Sequence, residues 1–234
     1  MLNHKPLTMK KETKQDIAYG VTKAILGSIP YAGAAASELF QLLVTPPLEK
    51  RRNEWMIEVG EKLKQLEQKE EIDFNKLAEN EIFIDVVLQT SQLALRTSEK
   101  EKIQYFKNVI LNTAIAENPN ITEVQIFLNF ISTYTVWHIK ILKLFDNPQD
   151  WFSKNNKSMP NVMAGGLSDV LETAYPELIN KRALYDLIWD DLSRSGLHST
   201  SGLHTIMSGS GLLANRTTPF GKEFLEFITE SPID

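Results

Sequence analysis

The stretch SEKEKIQYFKNVILNTAIAENPNITEVQIFLNFISTYTVWHIKIL, residues 98–142, decides the fold class. Ile103, Phe106, Ile110, Thr113 and Ala114 recur at three- and four-residue spacings, the period of a helix with one apolar face. Ser98 and Glu101 read as a capping box at its start, each side chain accepting from a free backbone N–H. Asn118-Pro119-Asn120 reads as a turn. Thr122 and Gln125 read as a second capping box. The segment they open, about 122–145, is so rich in Phe, Ile and Leu that it belongs in the centre of a core. Its Ser132–Thr135 run, β-branched and polar, predicts a break into two helices.

Outward toward the N-terminus the pattern stays helical. Ile82, Phe83, Val86, Val87, Leu93 and Ala94 predict a helix over about 80–96, after a polar connection at 70–79. Trp55, Val59, Leu63 and Leu66 form one stripe on a charged helix over about 47–69. Thr45-Pro46-Pro47 predicts the start of that helix, because threonine suits the N-cap and proline the first helical position. Residues 13–44 read as two helices separated by Pro30, which lacks the N–H a helix interior needs. Residues 1–12 read as a disordered basic tail.

Outward toward the C-terminus the grammar changes. Asn147-Pro148, Asn155-Asn156 and Gly165-Gly166 punctuate a polar stretch, 146–166, which reads as a linker or large loop between two domains. Leu167–Tyr175 predicts a short helix and Pro176–Ser195 a longer one, ended by Gly196 as a left-handed cap. Leu203–Met207 and Leu212–Arg216 flank Ser208-Gly209-Ser210-Gly211, which predicts a two-stranded hairpin. Thr218-Pro219 caps a last helix. The expected fold is therefore mainly α: a helical bundle over 13–145, followed by a small winged-helix-like α+β module over 167–234.

Composition narrows the chemistry. The 234 residues include no cysteine, so neither a disulfide framework nor a thiolate metal site is open to this chain. No run of 18 uncharged apolar residues reads as a membrane span, and the polar residues 1–16 do not read as a signal peptide. A cytoplasmic protein, membrane-associated on activation, is the expectation. The four histidines are His4, His138, His198 and His204. His138 beside Trp137 reads as a packed core residue, and the six-residue spacing of His198 and His204 matches no metal motif. No nucleophile elbow, Ser/His/Asp order or phosphate loop is present. The expectation is a non-enzyme with no cofactor and no small-molecule substrate.

Net charge is −5 and unevenly spread. Residues 1–52 hold eight Lys/Arg against four Asp/Glu, leaving them at +4 and the remainder at −9. Within 17–44, Gly20, Ala24 and Ser28 recur every four residues, as do Gly33 and Ser37, with Gly27 and Pro30 between. Such small-residue spacing lets helix backbones approach closely, in membranes or in soluble bundles. With Lys50, Arg51 and Arg52 following, this hairpin is a candidate contact with an anionic membrane surface or a partner; a buried helix pair is the plainer reading. In the tail, Lys181, Arg182, Arg194 and Arg216 are the candidate nucleic-acid or partner contacts. The helix carrying most of them also holds Glu177, Asp186, Asp190 and Asp191, which favours protein over phosphate as its partner.

Residues Glu101–Ala114, Pro119, the apolar helix ending Trp137-His138-Ile139-Lys140-Ile141-Leu142, and the closing Thr218-Pro219-Phe220-Gly221-Lys222-Glu223-Phe224 follow one another in an order that resembles the abortive-infection alpha proteins of bacteria. The resemblance spans roughly 80–145 and 167–230 and leaves residues 17–52 unaccounted for. It implies a role in phage defence, carried by a helical body and a small tail, and it brings no catalytic residues. A winged-helix DNA-binding regulator and a scaffold or protein-interaction module are the alternatives.

Overall fold

The structure, a computed structural model, describes residues 34–116, 119–160 and 163–230. The expected basic tail, the Pro30 kink and most of the 17–44 hairpin lie outside them. The described residues are mainly helical, with one two-stranded sheet. In chain order they form α1 (Ala34–Gln68), α2 (Phe74–Glu79), α3 (Glu81–Arg96), α4 (Lys100–Ile115), α5 (Ile121–Thr133), α6 (Val136–Asp146), α7 (Pro148–Lys154), β1 (Ala164–Gly165) and α8 (Leu167–Ala174). A 3₁₀ turn (Pro176–Leu178), α9 (Arg182–Arg194), β2 (Met207–Ser208), α10 (Gly209–Leu212) and α11 (Pro219–Phe227) follow.

The chain divides into two compact units, residues 1–57 and 58–234. The segment 146–166, expected as a linker or large loop, holds regular structure. That segment contains α7, whose Phe152 is fully buried, and the strand β1. Lys157 Nζ donates to Ala174 O at 2.6 Å, closing the end of α8. The polar residues that resemble a linker are therefore caps: Asn147 accepts from Asp150 N–H, and Asn156 takes a left-handed φ of 52°.

In the first unit, α1 runs unbroken through Thr45-Pro46-Pro47, where a restart was expected. The two adjacent prolines lack the N–H groups that would complete two of its backbone hydrogen bonds. Lys50, Arg51 and Arg52 are exposed on it, together with Leu48, Met56 and Ile57.

In the second unit, α3 and α4 pack along each other, joined by a three-residue connection. The expected capping boxes are absent from α4 and α5. The N-cap of α4 is Glu99, with no side-chain bond, and that of α5 is Asn120, whose side chain accepts from Thr122 N–H. A capping box does form at α6, between Thr135 and His138, at the break expected within 132–135. That helix is the hub. Ile139, Ile141, Leu142, Leu144 and Phe145 are all sealed from solvent, and α7, α8, α9 and α11 pack on it.

The last helix closes the unit through an aromatic cluster. Phe127 of α5 meets Phe220, Phe224 and Phe227 of α11, with ring centroids 5.1, 5.5 and 5.5 Å apart. Its free C-terminal carbonyls accept from side-chain amides of α4: Asn108 Nδ2 donates to Ile228 O at 2.8 Å, and Asn112 Nδ2 to Phe227 O at 2.8 Å and Thr229 O at 2.9 Å. These amides do the work of a helix C-cap from another element.

The expected hairpin is replaced by different pairing. Met207–Ser208 pairs antiparallel with Ala164–Gly165, far upstream, and the Gly/Ser run forms the helical turn α10. Ser208 supplies its N-cap, its Oγ accepting from Gly211 N–H at 3.3 Å, so the glycines serve a cap where a hairpin turn was read. A single bridge joins His198 to Thr217. The expected helix Pro176–Ser195 is likewise divided, because Asn180 takes a left-handed φ of 65° between the 3₁₀ turn and α9.

Candidate functional site

The helix α9 sits where a recognition helix was expected. Its buried face is Tyr185, Ile188, Trp189 and Leu192. Its outward face carries Leu184, 43% exposed, and Leu187, 55% exposed, one turn apart. Ile179, just before the helix, is also exposed. Two of its cations are held by its own carboxylates. Arg182 Nε lies 3.3 Å from Asp186 Oδ2, and Arg194 pairs with Asp191. Lys181 stands exposed at the N-cap.

Arg216, expected to project from a wing, is turned inward. It is half-buried, its guanidinium donating to Gly211 O and to Met207 Sδ, and its backbone N–H donates to Phe145 O at 2.8 Å. It ties the 207–212 segment to the end of α6.

Three histidines fall among the described residues, and each has a structural bonding pattern. His198 stacks on Trp189 with centroids 3.7 Å apart; its Nε2 donates to Trp189 O, and its Nδ1 accepts from Thr200 N–H. Burial holds its pKa below the usual 6.5. His204 Nε2 lies 2.7 Å from Asp186 Oδ1. His138, expected as a core residue, is buried and stacked on Tyr134.

His138 also belongs to a relay-like row that the sequence does not reveal. Its Nδ1 accepts from Thr135 N–H at 3.2 Å and lies 2.9 Å from Thr135 Oγ1. Its Nε2 therefore carries the proton, facing Asp191 Oδ2 at 3.4 Å. Burial lowers the His138 pKa more than Asp191 raises it. For Asp191, burial pushes the pKa up, but bonds from Arg194 and His138 outweigh it and hold the carboxylate below its usual value. Tyr134 donates to Ser195 Oγ in the same network. The bonds account for the start of α6 and its tie to α9. No group of three or more acidic or histidine side chains suited to a metal occurs among the described residues.

Of the N-terminal candidates, Gly20, Ala24, Gly27, Ser28, Pro30 and Gly33 lie outside the described residues, and Ser37 lies on α1. Lys50 makes a 3.8 Å pair with Glu54 on the exposed face of that helix. No helix among the described residues is long and apolar enough to cross a membrane.

A concavity of the second unit has no counterpart among the sequence expectations. A cleft of about 800 Å³ opens between the α6–α7 corner and α11, with Trp151 and Leu225 among its lining side chains. It joins residues of 143–155 to residues of 222–230, and no local pattern links these segments.

No family model, curated protein or solved structure matches this chain.

Proposed function

We propose that this chain is a non-enzymatic phage-defence protein of the abortive-infection type. In this reading the small-residue segment 17–44 and the basic turn Lys50–Arg52 act on a membrane surface or on a second copy. The module expected over 167–234 engages a protein partner. The observation that carries the choice of partner is the surface of α9, where Arg182 and Arg194 are paired to Asp186 and Asp191 while Leu184 and Leu187 face solvent. A phosphate backbone selects free cations, whereas an outward pair of leucines rewards an apolar partner surface. Leu48, Met56 and Ile57, exposed near Lys50–Arg52, support the membrane or partner role of the first unit, since apolar and basic groups together suit an anionic interface. The defence role itself rests on the layout of 80–145 and 167–230.

Two experiments test these parts. Expression should be toxic, and the purified protein should release dye from anionic liposomes. Gly33→Leu, or deletion of residues 1–44, should abolish both, and unchanged toxicity in these variants rules out the membrane mechanism. On immobilised duplex DNA the protein should be washed off at moderate salt. Salt-dependent retention weakened by Lys181→Ala and Arg182→Ala would instead establish a DNA-binding module.

A further inference from the structure

The cleft between α6–α7 and α11 holds charges that the fold leaves uncompensated. Lys154 is paired with Asp150, and Glu230 with Lys62, each at 2.8 Å. Lys143 and Asp146 are not paired. They lie one turn apart on α6, a spacing at which opposite charges can meet, yet among the described residues no carboxylate lies within 4 Å of Lys143 and no cation within 4 Å of Asp146. Lys143 is half-buried, its ammonium 5.0 Å from the Tyr105 ring centre, and burial holds its pKa below the ordinary lysine value. Asp146 Oδ1 is sealed from solvent with no donor. A carboxylate in that position gains from any N–H that reaches its other oxygen. On the facing wall, Lys222 and Glu226 are exposed and also unpaired. Trp151 and Leu225 supply apolar surface beside them.

We propose that this cleft binds a small zwitterion, an α-amino acid with an apolar or aromatic side chain. Its ammonium meets Asp146, its carboxylate meets Lys143 and Lys222, and its side chain lies against Trp151 and Leu225. An anion alone leaves Asp146 without a partner, and a cation alone leaves Lys143 without one. A ligand carrying both charges compensates the two together. A cleft of this volume is within the usual range for small-molecule sites and leaves room for every natural side chain.

Calorimetric titration of the full chain with L-phenylalanine and L-leucine tests this, using 3-phenylpropionate and phenethylamine as analogues that each lack one charge. The expected result is saturable one-to-one binding of an amino acid, weakened about tenfold or more in each analogue, since a lost charged hydrogen bond is worth at least that factor. Lys222→Glu and Asp146→Asn should weaken binding by a similar factor at unchanged helicity. If Asp146→Asn does not fold, Lys222→Glu decides, because Lys222 is exposed. No saturable binding of either amino acid, analogues that bind equally well, or a Lys222→Glu protein that binds as before would overturn the proposal.

Discussion

Gly221 explains why the Thr218-Pro219-Phe220-Gly221 turn reads so clearly. Thr218 Oγ1 accepts from Gly221 N–H, and it donates to Gly196 O at 2.6 Å. A Cβ at Gly221 would stand 2.2 Å from Leu197 O, a backbone atom that cannot step aside. Gly221→Ala should destabilise by about 1–3 kcal/mol, the usual range for overpacking, as a lower urea midpoint at unchanged slope. The histidines set a pH dependence. His138 and His198 both have folded pKa values below the 6.5 of the unfolded chain. A depressed histidine binds its proton more readily once unfolded, so its contribution is present above about pH 6.5 and is lost as the pH falls toward the folded value. Asp191, also depressed, adds a loss of the same sign in the carboxylate range. Urea midpoints should therefore decline steadily on acidification from neutrality, and His138→Gln, which keeps an amide acceptor for the Thr135 N–H, should flatten the part near pH 6. A midpoint that rises between pH 7 and 5.5 would contradict this assignment.

At the scale of elements, legibility followed locality. The apolar periods of 80–96 and 101–114, the break at 132–135, the left-handed Gly196 and the Thr218-Pro219 cap each depend on residues within one or two turns, and each is present in the structure. The Gly/Ser run 208–211 suits two local structures, a hairpin turn and a capped helical turn. The choice was made by β1, a partner remote in sequence. Helix α11 shows the same limit from the other side. Its amphipathic pattern is visible, but the side-chain amides of Asn108 and Asn112 that cap it come from α4. Asn112→Ala leaves those carbonyls to water and should cost about 1–2 kcal/mol, seen as faster amide exchange in 224–230 than in α6. On α9, Leu184→Lys with Leu187→Lys should leave the melting temperature nearly unchanged, because both side chains already face solvent.

At the scale of the molecule, the second unit is organised around α6. This helix, expected to end the body, packs against α8, α9 and α11, expected to be tail. Capping residues and linker residues are the same amino acids, so the sequence of 146–166 suits both. Only burial of Phe152 and the Lys157 bond tell them apart. Phe145→Ala should cost about 3–5 kcal/mol and unfold both ends of 58–234 in a single transition. The cleft, built from segments far apart in the chain, could not be read before they met. Plaque formation tests the proposed role of the α9 leucines in phage defence most directly. Cells expressing the intact chain should plate at least one member of a broad phage panel poorly, and the Leu184→Lys, Leu187→Lys protein, folded and equally abundant, should restore plating. Equal plating of every phage with and without the intact chain would contradict the account.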